Sequence, residues 1–161
     1  MDTIFAPWRM EYIKGEKPAG CVFCKCSSRC DEYVIYEGKS TFVMINRYPY
    51  VSGHLMIIPV RHIGKIEDLT QEERREIFTL LDTTVRVLQE AMNPDGFNIG
   101  MNIGKAAGAG IEEHIHVHVI PRWEGDTNFM SVVNNVRVIP EDVQTTASKL
   151  VPLFKKYHQE D

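Results

Sequence analysis

The spacing of apolar residues changes several times along this chain, and each change marks an element. Thr41 to Asn46 and His54 to Pro59 are strand-like runs. The turn between them contains Pro49 and Gly53, which predicts an antiparallel hairpin. From Thr70 the period becomes helical. Thr70-Gln71-Glu72-Glu73 has the form of a capping box, and Ile77, Leu80, Leu81, Thr84, Val85 and Leu88 recur on one face until Asn93-Pro94 ends the run. Alternation returns at Gly96 to Ile103 through Phe97, Ile99, Met101 and Ile103, leaving Asn98 and Asn102 on the opposite face. It returns again at His114 to Ile120, where Ile115, Val117 and Val119 separate His114, His116 and His118. That second run predicts a strand with one face buried, paired with the first through the intervening glycines. Val143, Ala147, Leu150, Phe154 and Tyr157 predict a closing helix that Pro152 must kink or restart. Strands in series around one long helix describe an α+β fold: an antiparallel, meander-like sheet of about five strands, the long helix packed on it and a C-terminal helix.

Composition narrows the class. With 161 residues, 43% of them hydrophobic, the chain suits a single domain over 1–161 with a sizeable core. The 18 basic and 22 acidic residues leave a net charge of −4, so no basic surplus points to nucleic acid as a partner. No apolar run nears the roughly 18 residues that a membrane span needs, and the first residues lack a basic-then-apolar leader pattern. The expectation is a soluble, cytoplasmic protein that does not engage a membrane.

Half of the six histidines stand at alternate positions in the His114 to His118 row. On a strand such residues share a side and advance by about 6.6 to 6.8 Å, a spacing suited to successive atoms of one ligand. Two or three of them could instead share a zinc ion. The glycine-rich stretch Gly104-Lys105-Ala106-Ala107-Gly108-Ala109-Gly110 favours a phosphate, because glycines let backbone N–H groups approach and point at an anion. The N–H groups of Gly108, Ala109, Gly110 and Ile111 are the candidate cradle. Cys21, Cys24, Cys26 and Cys30 fall within ten residues, and Cys21-Val22-Phe23-Cys24 can give two thiolates to a tetrahedral zinc. Cys26 and Cys30, or histidines elsewhere, could complete that site, and unmetallated buried thiols are the plainer alternative.

The row His114 to Ile120, a histidine and an apolar residue in turn, resembles the signature of the histidine triad (HIT) superfamily of nucleotide hydrolases and transferases. Asn46-Arg47-Tyr48-Pro49-Tyr50-Val51-Ser52-Gly53-His54 is similar to the nucleoside-binding strand pair of that family. The segments 6–13 and 121–130 are similar to its diadenosine tetraphosphate phosphorylase-like branch. The resemblance covers about residues 5 to 140. It implies that zinc is held structurally by Cys21, Cys24, His62 and His114. It implies that His116 attacks the α-phosphate of an adenosine polyphosphate, that His118 serves the leaving oxygen and that His54 orients the site. Asn46 would bind the ribose and Asn102 a phosphate bridge, while Trp123 would stack on adenine or fill a core gap. A homodimer is implied as well. Whether water or inorganic phosphate accepts the nucleotidyl group stays open, with the flanking segments tilting towards phosphate. A non-catalytic nucleotide sensor and a zinc-based hydrolase are the other readings.

Overall fold

The computed structural model describes residues 20–26, 32–126, 139 and 141–158. Five strands form one sheet: β1 (Val34–Glu37), β2 (Thr41–Ile45), β3 (Leu55–Pro59), β4 (Gly96–Gly100) and β5 (Val117–Arg122). Every neighbouring pair is antiparallel, in the order β1-β2-β3-β5-β4. The predicted α+β class and the β2–β3 hairpin are present. Strand order departs from a strict meander once, because the long helix carries the chain past β3 to the outer edge and the β4–β5 pair returns inward. Among the described residues three helices accompany the sheet: α1 (Val22–Cys26), α2 (Gln71–Met92) and α3 (Val143–His158).

Helix α2 starts where the sequence says. Thr70 Oγ1 accepts from the Glu73 N–H at 3.2 Å and the Glu73 carboxylate accepts from the Thr70 N–H at 2.8 Å, which satisfies two donors that the first turn otherwise leaves unpaired. It stops at Asn93, whose left-handed backbone (φ 46°) turns the chain into Pro94. Its buried stripe includes Ile77, Leu80, Val87 and Leu88. Together with Ala147, Leu150 and Phe154 of α3 it covers Val43, Ile45, Leu55, Ile57, Val117 and Val119 on one face of the sheet. Phe42, Met44, Met56 and Ile58 face the other way, against Phe23 of α1. Both faces of β2 and β3 are therefore buried, which is why these strands read as unbroken apolar runs.

Four expectations change. The triad strand begins at Val117, not His114. Antiparallel pairing of β5 with β3 runs from Leu55↔Val119 to Ile57↔Val117; the next β3 residue that faces β5 is Pro59, which has no N–H to give and whose carbonyl is taken by a His114 ring nitrogen at 2.8 Å. The histidine side is not open either: His114, His116 and His118 are 0%, 6% and 8% exposed. Strand β4 ends at Gly100, with Phe97 and Met101 on the helix-side core but Ile99 and Ile103 exposed. Pro152 lies within α3, which continues through it without a restart. Strand β1 has no clear alternation in the sequence; Val34 and Tyr36 are only half-buried, so no face is marked. Among the described residues no helix is long and apolar enough to cross a membrane.

Candidate active site

The three histidines of the row meet three different neighbourhoods, and hydrogen bonds to groups of fixed polarity assign their protons. A backbone carbonyl only accepts, so a ring nitrogen bonded to one must carry hydrogen. His116 Nδ1–H donates to the His114 carbonyl at 2.9 Å. Neutral His116 therefore keeps its lone pair on Nε2. His114 Nε2–H donates to the Pro59 carbonyl at 2.8 Å, leaving its lone pair on Nδ1. A backbone N–H only donates, and Tyr50 N–H points at His54 Nδ1 at 3.2 Å, with Asn46 Nδ2 at the same distance. His54 Nε2 then carries the proton and donates to His118 Nδ1 at 2.9 Å. That leaves His118 with a hydrogen on Nε2, an atom that is buried and has no partner among the described residues. The pair presents a lone pair on His116 beside a donor on His118, with ring centroids 4.8 Å apart.

Burial keeps these rings neutral. Desolvation, then the neighbouring His118 and His116, pushes His54 down to about 3. Desolvation and His116 push His118 down to about 4. Burial also holds His116 and His114 below the ordinary imidazole value, against the hydrogen bonds to backbone carbonyls that favour the charged ring. Near neutral pH the row consists of uncharged imidazoles in fixed tautomers.

Cys21, Cys24, His62 and His114 come together at the first end of the row, their ligand atoms all within 4.8 Å of one another. Cys21 Sγ lies 3.3 Å from His114 Nδ1, and Cys24 Sγ lies 3.2 Å from His62 Nδ1 and 3.7 Å from His114 Nδ1. A tetrahedral zinc with ordinary Zn–S and Zn–N lengths needs sulfur–nitrogen edges of about 3.5 Å. The donor set fits, and the lone pair that the Pro59 contact leaves on His114 faces the sulfurs. Burial and then Cys21 push the Cys24 thiol up, so metal capture would release protons. Arg61 anchors the approach to His62. It donates through Nε and Nη2 to both oxygens of buried Glu73 at 2.7 and 2.8 Å, contacts that hold that carboxyl down at about 2. Cys30 and the side chain of Cys26 lie outside the described residues, as do segments 6–13 and 127–130.

The remaining predicted residues divide. Asn46 sits beside His54, its Oδ1 accepting from Tyr48 N–H at 2.9 Å, with one lone pair and one amide hydrogen to spare. The glycine stretch forms a 3₁₀ turn at Lys105–Ala107, with left-handed Gly108 at φ 83°. Gly108 and Ala109 turn their N–H groups back to the Lys105 and Gly104 carbonyls, so the predicted anion cradle narrows to Gly110 and Ile111. Asn102 is half-buried beyond the end of β4, where the alternation assumed for it has stopped. Trp123 donates its indole N–H to the Met92 carbonyl at the end of α2.

A family model described as HIT domain matches residues 27–125. The chain belongs to the HIT family. It is 35% identical over 158 residues to an AP-4-A phosphorylase of Mycobacterium tuberculosis, a match covering 91% of this chain and 80% of that protein. It is 29% identical over 129 residues to a bis(5'-adenosyl)-triphosphatase of Dictyostelium discoideum, covering 76% and 86%. Among solved structures it resembles a Zn-bound histidine triad family protein of Mycobacterium smegmatis, with TM-score 0.72, 28% identity and coverage of 88% and 98%.

Sequence reasoning passed over several side chains at this HIT site. Phe23 packs its ring against both His114 and His116, at 5.5 and 5.0 Å between centroids. Tyr50 lies 4.7 Å from the His54 ring and 6.0 Å from His118. An aromatic between two cysteines, and another four residues before a histidine, were the available signals.

Proposed function

We propose that this HIT protein cleaves adenosine dinucleoside polyphosphates at the α-phosphate through a nucleotidyl-histidine intermediate on His116, as a diadenosine tetraphosphate (Ap4A) phosphorylase. The observation that carries the reading is the tautomer pair: an Nε2 lone pair on His116 directed by the His114 carbonyl, next to an Nε2–H donor on His118 held by His54. Similarity to the mycobacterial phosphorylase supports phosphate as the acceptor. His116 Nε2 would form a P–N bond as the P–O bond to the departing ATP breaks. The positive charge developing on the ring is met by the His114 carbonyl, and the leaving oxygen accepts from His118 Nε2–H. A polyphosphate is a weak enough base to leave with this steadying alone. Phosphate oxygen then attacks phosphorus from the opposite side, the P–N bond breaks and ADP is released. Gly110 and Ile111 N–H would hold the non-bridging oxygens where charge builds, and the spare capacity of Asn46 suits a ribose hydroxyl. Zinc on Cys21, Cys24, His62 and His114 would lock the first end of the row in place.

Similarity to the triphosphatase favours a second reading, in which water takes the place of phosphate. Incubation with diadenosine tetraphosphate, with and without phosphate, separates the two. ADP and ATP formed only with phosphate supports phosphorolysis, AMP and ATP without it supports hydrolysis, and no turnover leaves a nucleotide-sensing module. Two further assignments belong to the proposal. Edge strand β4 and the segment after it, with Ile99 and Ile103 46% and 51% exposed, support a homodimer, to be checked by light scattering. Cys21 and Cys24 stand as thiols with no disulfide between them, which suits the reducing cytoplasm.

A further inference from the structure

We propose that Phe23 is a positioning residue for His116, the side chain through which the Cys21/Cys24 turn sets the plane of the attacking imidazole. The inference rests on His116 being the nucleophile. The bond from His116 Nδ1–H to the His114 carbonyl fixes one point on the ring but leaves its tilt about that point soft, since the terminal torsion of a histidine is broad. Attack at phosphorus needs the Nε2 lone pair aligned as well as near. A second contact must therefore hold the ring. Phe23 provides one, with its ring centroid 5.0 Å from that of His116 at an interplanar angle of 58°. The His118 ring stands at 82° and 4.8 Å from the same imidazole. Both rings contact His116.

Phe23 is itself fixed. It is 4% exposed on the single turn of α1, and its ring also meets His114 edge-on at 87°. Cys21 precedes it by two residues and Cys24 follows it directly, both with sulfurs against His114 Nδ1. The contacts that draw α1 onto His114 thus press Phe23 onto His116. A residue that only filled the apolar cluster of Phe42, Met44, Met56 and Ile58 would affect stability when truncated, but not the turnover of molecules that remain folded.

The test uses the full chain with its metal loaded, and compares wild type, Phe23→Leu and Phe23→Ala. Adduct formation on His116 is followed in single turnovers with diadenosine tetraphosphate, alongside kcat, KM, metal content and the imidazole nitrogen NMR signature of the His116 Nδ1–H tautomer. Both variants are expected to keep their metal, with Phe23→Leu melting near wild type. Phe23→Ala should slow adduct formation on the order of 10²-fold with KM little changed, and Phe23→Leu should fall between it and wild type. The Nδ1–H signature should broaden or divide in both. Wild-type adduct rates in folded, metal-loaded Phe23→Ala and Phe23→Leu would overturn the proposal, and so would a loss confined to KM, which would make Phe23 a nucleoside contact. A wild-type protein that forms no adduct on His116 overturns the functional reading, and this proposal with it.

Discussion

His114 and His118 are the same residue type four positions apart, buried to nearly the same degree, yet they are set up for opposite work. His114 gives its proton to the Pro59 carbonyl and turns a lone pair towards two sulfurs and a second imidazole. His118 takes a proton from His54 and turns its own N–H into the site. Neither role resides in the imidazole. The polarity of one neighbour, an accepting carbonyl or a donating ring, decides which nitrogen is free and hence whether the residue is suited to a cation or to an anion.

Between the two ends stands His116, and the largest expected effect is there. His116→Asn should fold and retain its metal and nucleotide binding, yet lose turnover by on the order of 10⁴-fold or more, with no adduct detectable by mass spectrometry after acid quench. Residual adduct on another residue would break the comparison by moving the nucleophile out of the row. His118→Asn comes next. Loss of leaving-group assistance should cost about 10²- to 10⁴-fold in kcat while metal content and melting temperature hold. His114→Asn should do the reverse, with metal analysis showing the loss of about one zinc per chain and stability falling by about 3 kcal/mol, the scale of removing a structural site. Metal loss in His118→Asn, or a metal-loaded His114→Asn, would erase the difference between the ends.

The smallest effect is a pH dependence. His54 and His118 titrate near 3 and 4 in the folded chain, against about 6.5 unfolded, so between those values the unfolded chain binds more protons. Their neutral burial therefore contributes stability that is fully present above pH 6.5 and is lost as pH falls towards 4. Urea midpoints measured from pH 7 to pH 5 should decline, and His54→Gln should decline less steeply. Equal slopes would show that these rings charge without cost in the fold.

Much of this arrangement could be read from the sequence where the signal is local. The capping box at Thr70, the β2–β3 hairpin and the phase of the histidine row each depend on residues a few positions apart. The thiolate half of the metal cluster was equally local, but His62 and His114 came from family resemblance, because nothing in spacing singles out a histidine 38 residues from Cys24. The proton assignments were not readable at all, since they depend on which carbonyl or N–H the fold sets against each ring. The glycine stretch misled for a related reason. It announced a turn correctly, but not that Gly108 and Ala109 would use their own N–H groups to close it. Pro59 was in plain view, and its consequence for the start of β5 needed the strand order.

The Cys/His cluster joins parts of the chain that are distant along it: Cys21 lies 93 residues from His114, and Cys24 lies 38 from His62. A bound ion would act as a clasp across these long loops, and closing them from a disordered chain carries an entropy cost that grows with the logarithm of their length. The clasp can shut only after β3 and β5 have paired to bring His62 and His114 side by side. Shut at that last stage of assembly, it would hold the door closed and leave the speed of closing unchanged. Zinc should accordingly lengthen the lifetime of the folded protein, through slower unfolding, far more than it hastens folding.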